Sequence, residues 1–233
     1  MVALGAQATL VYYGEGGYSN SASAGSRWGI DEVTWDATAT GSDVAIGWAG
    51  DAGYGGVYSV NGTAGNFVNQ GAGATLTDTV SGSGLVLTLD SATRSAAEAT
   101  MSANNGSSLG VTGGTLSLQT DKDESYGFSW NQNVIVKGYN IWNWYTAPGS
   151  GSVSVDGVEF ETWNSDKSRT ANVHFTEFEL AAGKVLAFTG AAASTGGFTL
   201  TGLVVETIPE PATLGLLVAT SAGLLFIRRR LVI

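Results

Sequence analysis

The sequence predicts an all-β protein, a two-sheet antiparallel β-sandwich of jelly-roll type, followed by one C-terminal transmembrane helix. Three observations carry this. Short apolar runs recur along the chain with Gly, Ser, Thr and Asn between them, the pattern of strands joined by turns. No stretch before residue 208 has a sustained 3.6-residue period. A run of 16 uncharged, mostly apolar residues, 212–227, stands close to the C terminus.

The strand-like runs are 32–37, 43–48, 56–60, 85–90, 115–120, 125–130, 134–144, 152–162, 171–180, 184–189 and 198–207. Alternation is clearest at Tyr126, Phe128 and Trp130, with Ser125, Gly127 and Ser129 between them. Val153 and Val155, then Val158 and Phe160, alternate on either side of Asp156 and Gly157, a dipeptide that favours a two-residue hairpin turn. Phe175 and Phe178 are three apart, which breaks the period of two and predicts a bulge. Residues 92–103 are the helix candidate of this part. So many short strands within about 200 residues fit one sandwich with a real core.

Of 233 residues 34 are glycine, against three prolines, two of them in the tail. There is no collagen-like period, and large hydrophobic residues are too frequent for a disordered chain. Setting aside Arg228, Arg229, Arg230 and Glu210, residues 1–208 hold 7 basic and 19 acidic groups, a formal charge near −12. Such a field repels phosphate backbones, so no nucleic acid partner is expected. The chain has no cysteine, which removes disulfides, zinc-thiolate sites and thiol nucleophiles.

The tail divides into three ordered parts. Pro209, Glu210 and Pro211 come first, the run 212–227 follows, and Arg228, Arg229 and Arg230 close it. As a helix the run would span about 24 Å, a little under a hydrocarbon core of about 30 Å. Arginine snorkelling and the flanking Ile208 and Leu231 make up the difference. Backbone groups in lipid must bond internally, which requires a helix, and the arginines hold its end cytoplasmic.

This arrangement resembles the PEP-CTERM sorting signal of exopolysaccharide-producing Gram-negative bacteria. The resemblance implies that Pro209, Glu210 and Pro211 are the recognition and processing motif of an exosortase. It also implies that the helix is a temporary hold in the membrane and that Arg228 to Arg230 are the anchor. Leu231, Val232 and Ile233 extend past the basic cluster, where many such tails stop.

A second segment is similar to one recurring in the exported domains of such proteins. It runs from Leu109-Gly110-Val111-Thr112-Gly113-Gly114 through Asp121-Lys122-Asp123-Glu124 to the aromatic strand ending at Trp130. The turn Leu180-Ala181-Ala182-Gly183-Lys184 fits the same picture. At the other end, Ala6-Gln7-Ala8 is an A-x-A pattern directly before a strand-like run, so residues 1–8 read as the remnant of a signal peptide for Sec export. The expected organisation is therefore 1–8 remnant, 9–207 ectodomain and 208–233 sorting tail.

Candidate chemistry is sparse. His174 is the single histidine and has no Gly-x-Ser-x-Gly elbow to serve, so an isolated surface histidine is the expectation. Glu159 with Glu161, and Glu177 with Glu179, stand two apart and so share a face of a strand. A glycosidase would need two such acids about 5–10 Å apart across a cleft; a solvated acidic face needs nothing more. Asp121, Asp123 and Glu124 on a turn supply oxygens for a candidate structural Ca2+ site, without EF-hand spacing. Trp142 and Trp144 flank Asn143, and with Asn140 they form a candidate stacking platform for sugar rings, the alternative being packing in the core.

The expected function is that of a non-catalytic cell-surface or matrix protein that binds carbohydrate. It would be held in the inner membrane during export and then released to the surface or an exopolysaccharide layer. The alternatives are a secreted carbohydrate-active hydrolase and a purely structural adhesion or coat module.

Overall fold

The computed structural model describes residues 8, 10–14, 44–46, 67, 69–77, 84–104, 108–113, 120–142, 149–165, 171–192 and 196–208. All regular structure among them is β. The strands are β1 (Leu10–Gly14), β2 (Val44–Ile46), β3 (Thr75–Thr77), β4 (Val86–Arg94), β5 (Ala97–Glu98), β6 (Met101–Asn104) and β7 (Ser108–Val111). They continue as β8 (Glu124–Trp130), β9 (Val134–Trp142), β10 (Gly149–Val155), β11 (Val158–Ser165), β12 (Ala171–Leu180), β13 (Leu186–Gly190) and β14 (Thr199–Thr207). The chain divides into two compact units, one of them Thr9–Thr207. The terminal segments fall in the other, where only Ala8 and Ile208 are described.

Among the described residues the strands form two seven-stranded sheets. The first has the order β12-β9-β14-β1-β2, with β7 also on β14 and β6 on β7. The second has the order β11-β10-β13-β8-β4-β3, with β5 on β4. Every named pairing is antiparallel except β1 with β2. From β8 onward the chain crosses repeatedly between the sheets, returning only once to the same sheet, through the β10–β11 hairpin.

Side chains from the two sheets meet in one core, as two stacked apolar faces must. Tyr13 of β1 lies edge-on to Trp130 of β8 with ring centroids 6.4 Å apart, and Tyr139 of β9 lies edge-on to Phe188 of β13 at 5.3 Å. The expected alternation of Tyr126, Phe128 and Trp130 places all three in this core. Phe188 stacks on Tyr126 at 5.5 Å and meets Phe128 edge-on at 6.4 Å, so one ring ties β13 to β8 and across to β9. Among the described residues, Val158 (70%) and Phe160 (42%) are the exposed large apolar side chains, and Phe160 lies edge-on to Phe178 at 5.1 Å.

Several local expectations are met. Asp156 and Gly157 both take positive φ, 48° and 78°, and close the β10–β11 hairpin as a two-residue turn. The β12–β9 register shifts between Phe175 and Phe178, where the broken period predicts a bulge. The helix candidate 92–103 is instead the end of β4, β5 and β6. Ser95 and Ala96 adopt φ of 48° and 63° and turn the chain, and the Ser95 amide donates to the Asp123 carbonyl at 2.7 Å. Ladder bonds to β8 outweigh the weak helical preference of an alanine-containing stretch. The runs 32–37 and 56–60, and 115–120 apart from Thr120, lie outside the described residues, as does the tail helix 212–227. No helix among the described residues is long and apolar enough to cross a membrane.

Candidate functional site

The last strand precedes the tail in sequence. β14 lies inside the first sheet, paired on one edge with β9 and on the other with β1. Its final residue, Thr207, pairs with Val134 and is buried, and Glu206 pairs with both Leu10 and Ile135. Ile208 alone then separates the strand from Pro209. The registers place the turns 131–133, 156–157 and 181–185 at this same end of the domain. They are bonded to each other. The Ala182 amide donates to Asn133 Oδ1 at 2.9 Å, and the Gly183 amide to the Trp130 carbonyl at 2.8 Å. The Val185 amide donates to Asp156 Oδ1 at 3.0 Å, and Lys184 Nζ bonds Asp156 Oδ2. Asn131 accepts from the Val86 amide at 2.7 Å and donates to the Gly84 carbonyl at 3.0 Å. Hydrogen bonding to Lys184 and to the Val185 amide holds the Asp156 carboxyl below its ordinary pKa.

The acidic turn 121–124 lies at the opposite end, where β8 begins. Of its three carboxyls, Asp121 and Glu124 lie close enough to interact. Asp123 is exposed and at positive φ (63°), whereas Glu124 is turned inward and has no exposed surface. Glu124 Oε2 accepts from the Asp121 amide at 2.9 Å, which makes it a cap of its own turn. Glu124 Oε1 is 3.7 Å from Arg94 Nε. Burial raises the Glu124 pKa to about 7, against the opposing pull of the Asp121 amide and the Arg94 charge. Among the described residues no group of three His, Cys, Asp or Glu side chains is arranged to hold a metal. The turn is pressed against β13 at Gly190, where a Cβ would stand 1.9 Å from the Asp121 carbonyl oxygen.

The two glutamate pairs are separated by their own strands. In β11 the register with β10 slips so that Glu159 faces Ser154 and Glu161 faces Val153, with Phe160 as the extra residue. The Glu161 carboxylate accepts a hydrogen bond from the hydroxyl of buried Tyr139. Burial, with that carboxylate beside it, pushes the Tyr139 hydroxyl pKa well above its ordinary value. In β12 the bulge sets Glu177 and Glu179 to different partners. Glu177 pairs with Lys137 Nζ at 2.9 Å, and Lys137 also reaches Glu206 at 3.3 Å, bridging β12, β9 and β14. Burial draws the Lys137 pKa down, but bonds and charge from Glu177 and Glu206 outweigh it and leave it raised. Glu179 accepts from Asn133 Nδ2 at 3.4 Å.

Asn140 and Trp142 belong to β9, whose Tyr139 and Ile141 are buried in the core. The Asn140 and Trp142 side chains and all of Trp144 lie outside the described residues. So do the His174 side chain, Pro209, Glu210, Pro211 and the three arginines. Sequence reasoning found the turns at 156–157 and 180–184 but missed the bonds that join the turns at this end and missed the turn 131–133, although Asn131 and Asn133 between two strand runs are a turn signal. It also missed the Tyr139–Glu161 bond, which no local pattern marks.

The described residues thus form an all-β domain, and in sequence its last strand is followed at once by the tail. Residues 207–230 match the family model of the PEP-CTERM protein-sorting motif, which supports sorting of the chain by an exosortase. Among curated proteins none matches the chain. Among solved structures it is similar to an exo-β-1,3-galactanase from Phanerochaete chrysosporium in complex with β-1,3-galactotriose, at 14% identity and a TM-score of 0.31. That match covers 47% of this chain and 26% of the galactanase. It is also similar to a ruminal GH26 endo-β-1,4-mannanase, at 14% identity and a TM-score of 0.27, over 40% of this chain and 19% of the mannanase. The chain therefore spans about a quarter or less of these two enzymes, and likeness at this level carries no inference about its activity.

Proposed function

We propose that the chain is a non-catalytic protein of the cell surface or extracellular matrix, whose jelly-roll sandwich binds carbohydrate. In this reading the Sec machinery exports it, the helix 212–227 holds it in the inner membrane through Arg228 to Arg230, and exosortase processing at Pro209 to Pro211 releases it. The observation that carries the sorting half is the matched motif beginning at the last residue of the last strand. The jelly-roll reading rests on strand order: β1-β14-β9-β12 in one sheet and β8-β13-β10-β11 in the other, with β8 to β14 supplying the interleaved strands. The non-catalytic reading draws support from Glu161, Glu177 and Glu179, which are engaged by Tyr139, Lys137 and Asn133.

The carbohydrate clause rests on Trp142, Trp144 and Asn140 near the end of β9, where aromatic rings could stack on the apolar faces of sugars. Probing a glycan array that includes bacterial exopolysaccharide fragments tests it. Binding by the ectodomain, with at least tenfold loss in Trp144→Ala, is expected, about 1.4 kcal/mol. Absence of binding to every glycan would leave a structural coat module.

A further inference from the structure

We propose that the peptidase that processes the tail docks on the folded end of the sandwich formed by the turns 131–133, 156–157 and 181–185. The proposal rests on the sorting reading above and goes beyond it, because it assigns recognition to residues far from the motif in sequence. A peptidase that reads an extended substrate needs chain on both sides of its target. On the N-terminal side that chain does not exist in free form here. Thr207 is buried and Val205 is fully buried, and both are paired within the sheet. From Ile208 to Pro211 an extended chain reaches at most about 14 Å. An enzyme acting on Pro209 to Pro211 must therefore come against the end of the domain.

That end is built for contact. Its turns are fixed to one another by the bonds from Ala182, Gly183 and Val185, so little ordering entropy is lost on docking. Asp156 and Lys184 are the charges in these three turns, and they neutralise each other. In a domain with a formal charge near −12, turns with no net charge of their own, beside the Glu179 carboxylate at Asn133, limit the repulsion that a membrane-embedded partner meets. Val158, 70% exposed immediately after the 156–157 turn, supplies an apolar contact at its rim. Ala181 and Ala182 are exposed and small, leaving the surface open to close approach.

The test follows tail removal by immunoblot on the full chain, in cells containing the cognate exosortase. The double variant Val158→Glu, Ala182→Glu alters two exposed side chains, and an unchanged melting temperature of its purified ectodomain confirms the fold. Its processing is expected to slow about tenfold. A flexible spacer of about six residues between Thr207 and Ile208 frees the motif from the domain end. With the spacer, wild type and variant should be processed at equal rates. A photo-crosslinker at position 182 should capture the peptidase. Wild-type processing of the variant without a spacer overturns the proposal, as does capture of lipid alone, which would place the membrane surface at this end. Replacement of Pro209, Glu210 and Pro211 by alanine is the separate control. If that chain is still processed, the sorting reading fails rather than the docking surface.

Discussion

Phe188→Ala is expected to lower the stability of the ectodomain by about 3–5 kcal/mol, the usual cost of deleting a fully buried aromatic ring. Phe188 has no exposed surface, and its ring contacts Tyr126 and Phe128 in its own sheet and Tyr139 in the other. Three rings cannot all close on one cavity, because each is held by its own strand. Tyr139 is further held by its hydroxyl bond to Glu161, which limits its movement into the space. Phe188→Leu keeps much of the volume and should cost less than half as much. Urea unfolding followed by tryptophan fluorescence measures both. A loss under about 1 kcal/mol for the alanine variant would mean that the two sheets do not share this core.

The second large effect depends on pH. Glu124 has a folded-state pKa of about 7 against 4.5 as its ordinary value, because burial disfavours its charged form. Below pH 4 the carboxyl is protonated in both states and contributes nothing to the pH dependence. As pH rises above 4.5 the unfolded chain ionises first, and stability falls until the folded group also ionises near pH 7. The shift corresponds to a loss of about 3 kcal/mol between pH 4 and 8. Glu124→Gln keeps an acceptor for the Asp121 amide and cannot ionise, although its pairing with Arg94 is lost. Other carboxylates titrate in the same window, so the difference between wild type and variant isolates this group. Relative to wild type the variant should gain stability steadily from pH 4 to 8. A constant difference across that range would show that Glu124 is not a shielded acid.

The strands from Ser125 onward were legible because each carries its own signal. Tyr126, Phe128 and Trp130 alternate, Asp156-Gly157 is suited to positive φ, and the spacing of Phe175 and Phe178 marks a slipped register. The sorting motif was legible for a different reason: three chemically distinct parts stand in a fixed order within 24 residues. What could not be read depends on partners distant in sequence. Ser95 and Ala96 favour no turn alone, and their conformation is held by Asp123 and the β8 ladder. The slip at Phe160 takes its ring out of register with buried Val153 and leaves it half-exposed against Phe178, and it sends Glu161 to Tyr139. Glu124 reads as one of three surface acids because nothing in Asp-Lys-Asp-Glu says which carboxylate will turn inward.

The central claim is that this sandwich is delivered to the surface by removal of its tail. Intact-mass measurement of the protein recovered from the surface or medium of exosortase-containing cells tests it most directly. A C terminus within or next to Pro209, Glu210 and Pro211 is predicted, with residues 212–233 gone. Recovery of the chain still ending at Ile233, with or without the exosortase, would contradict it.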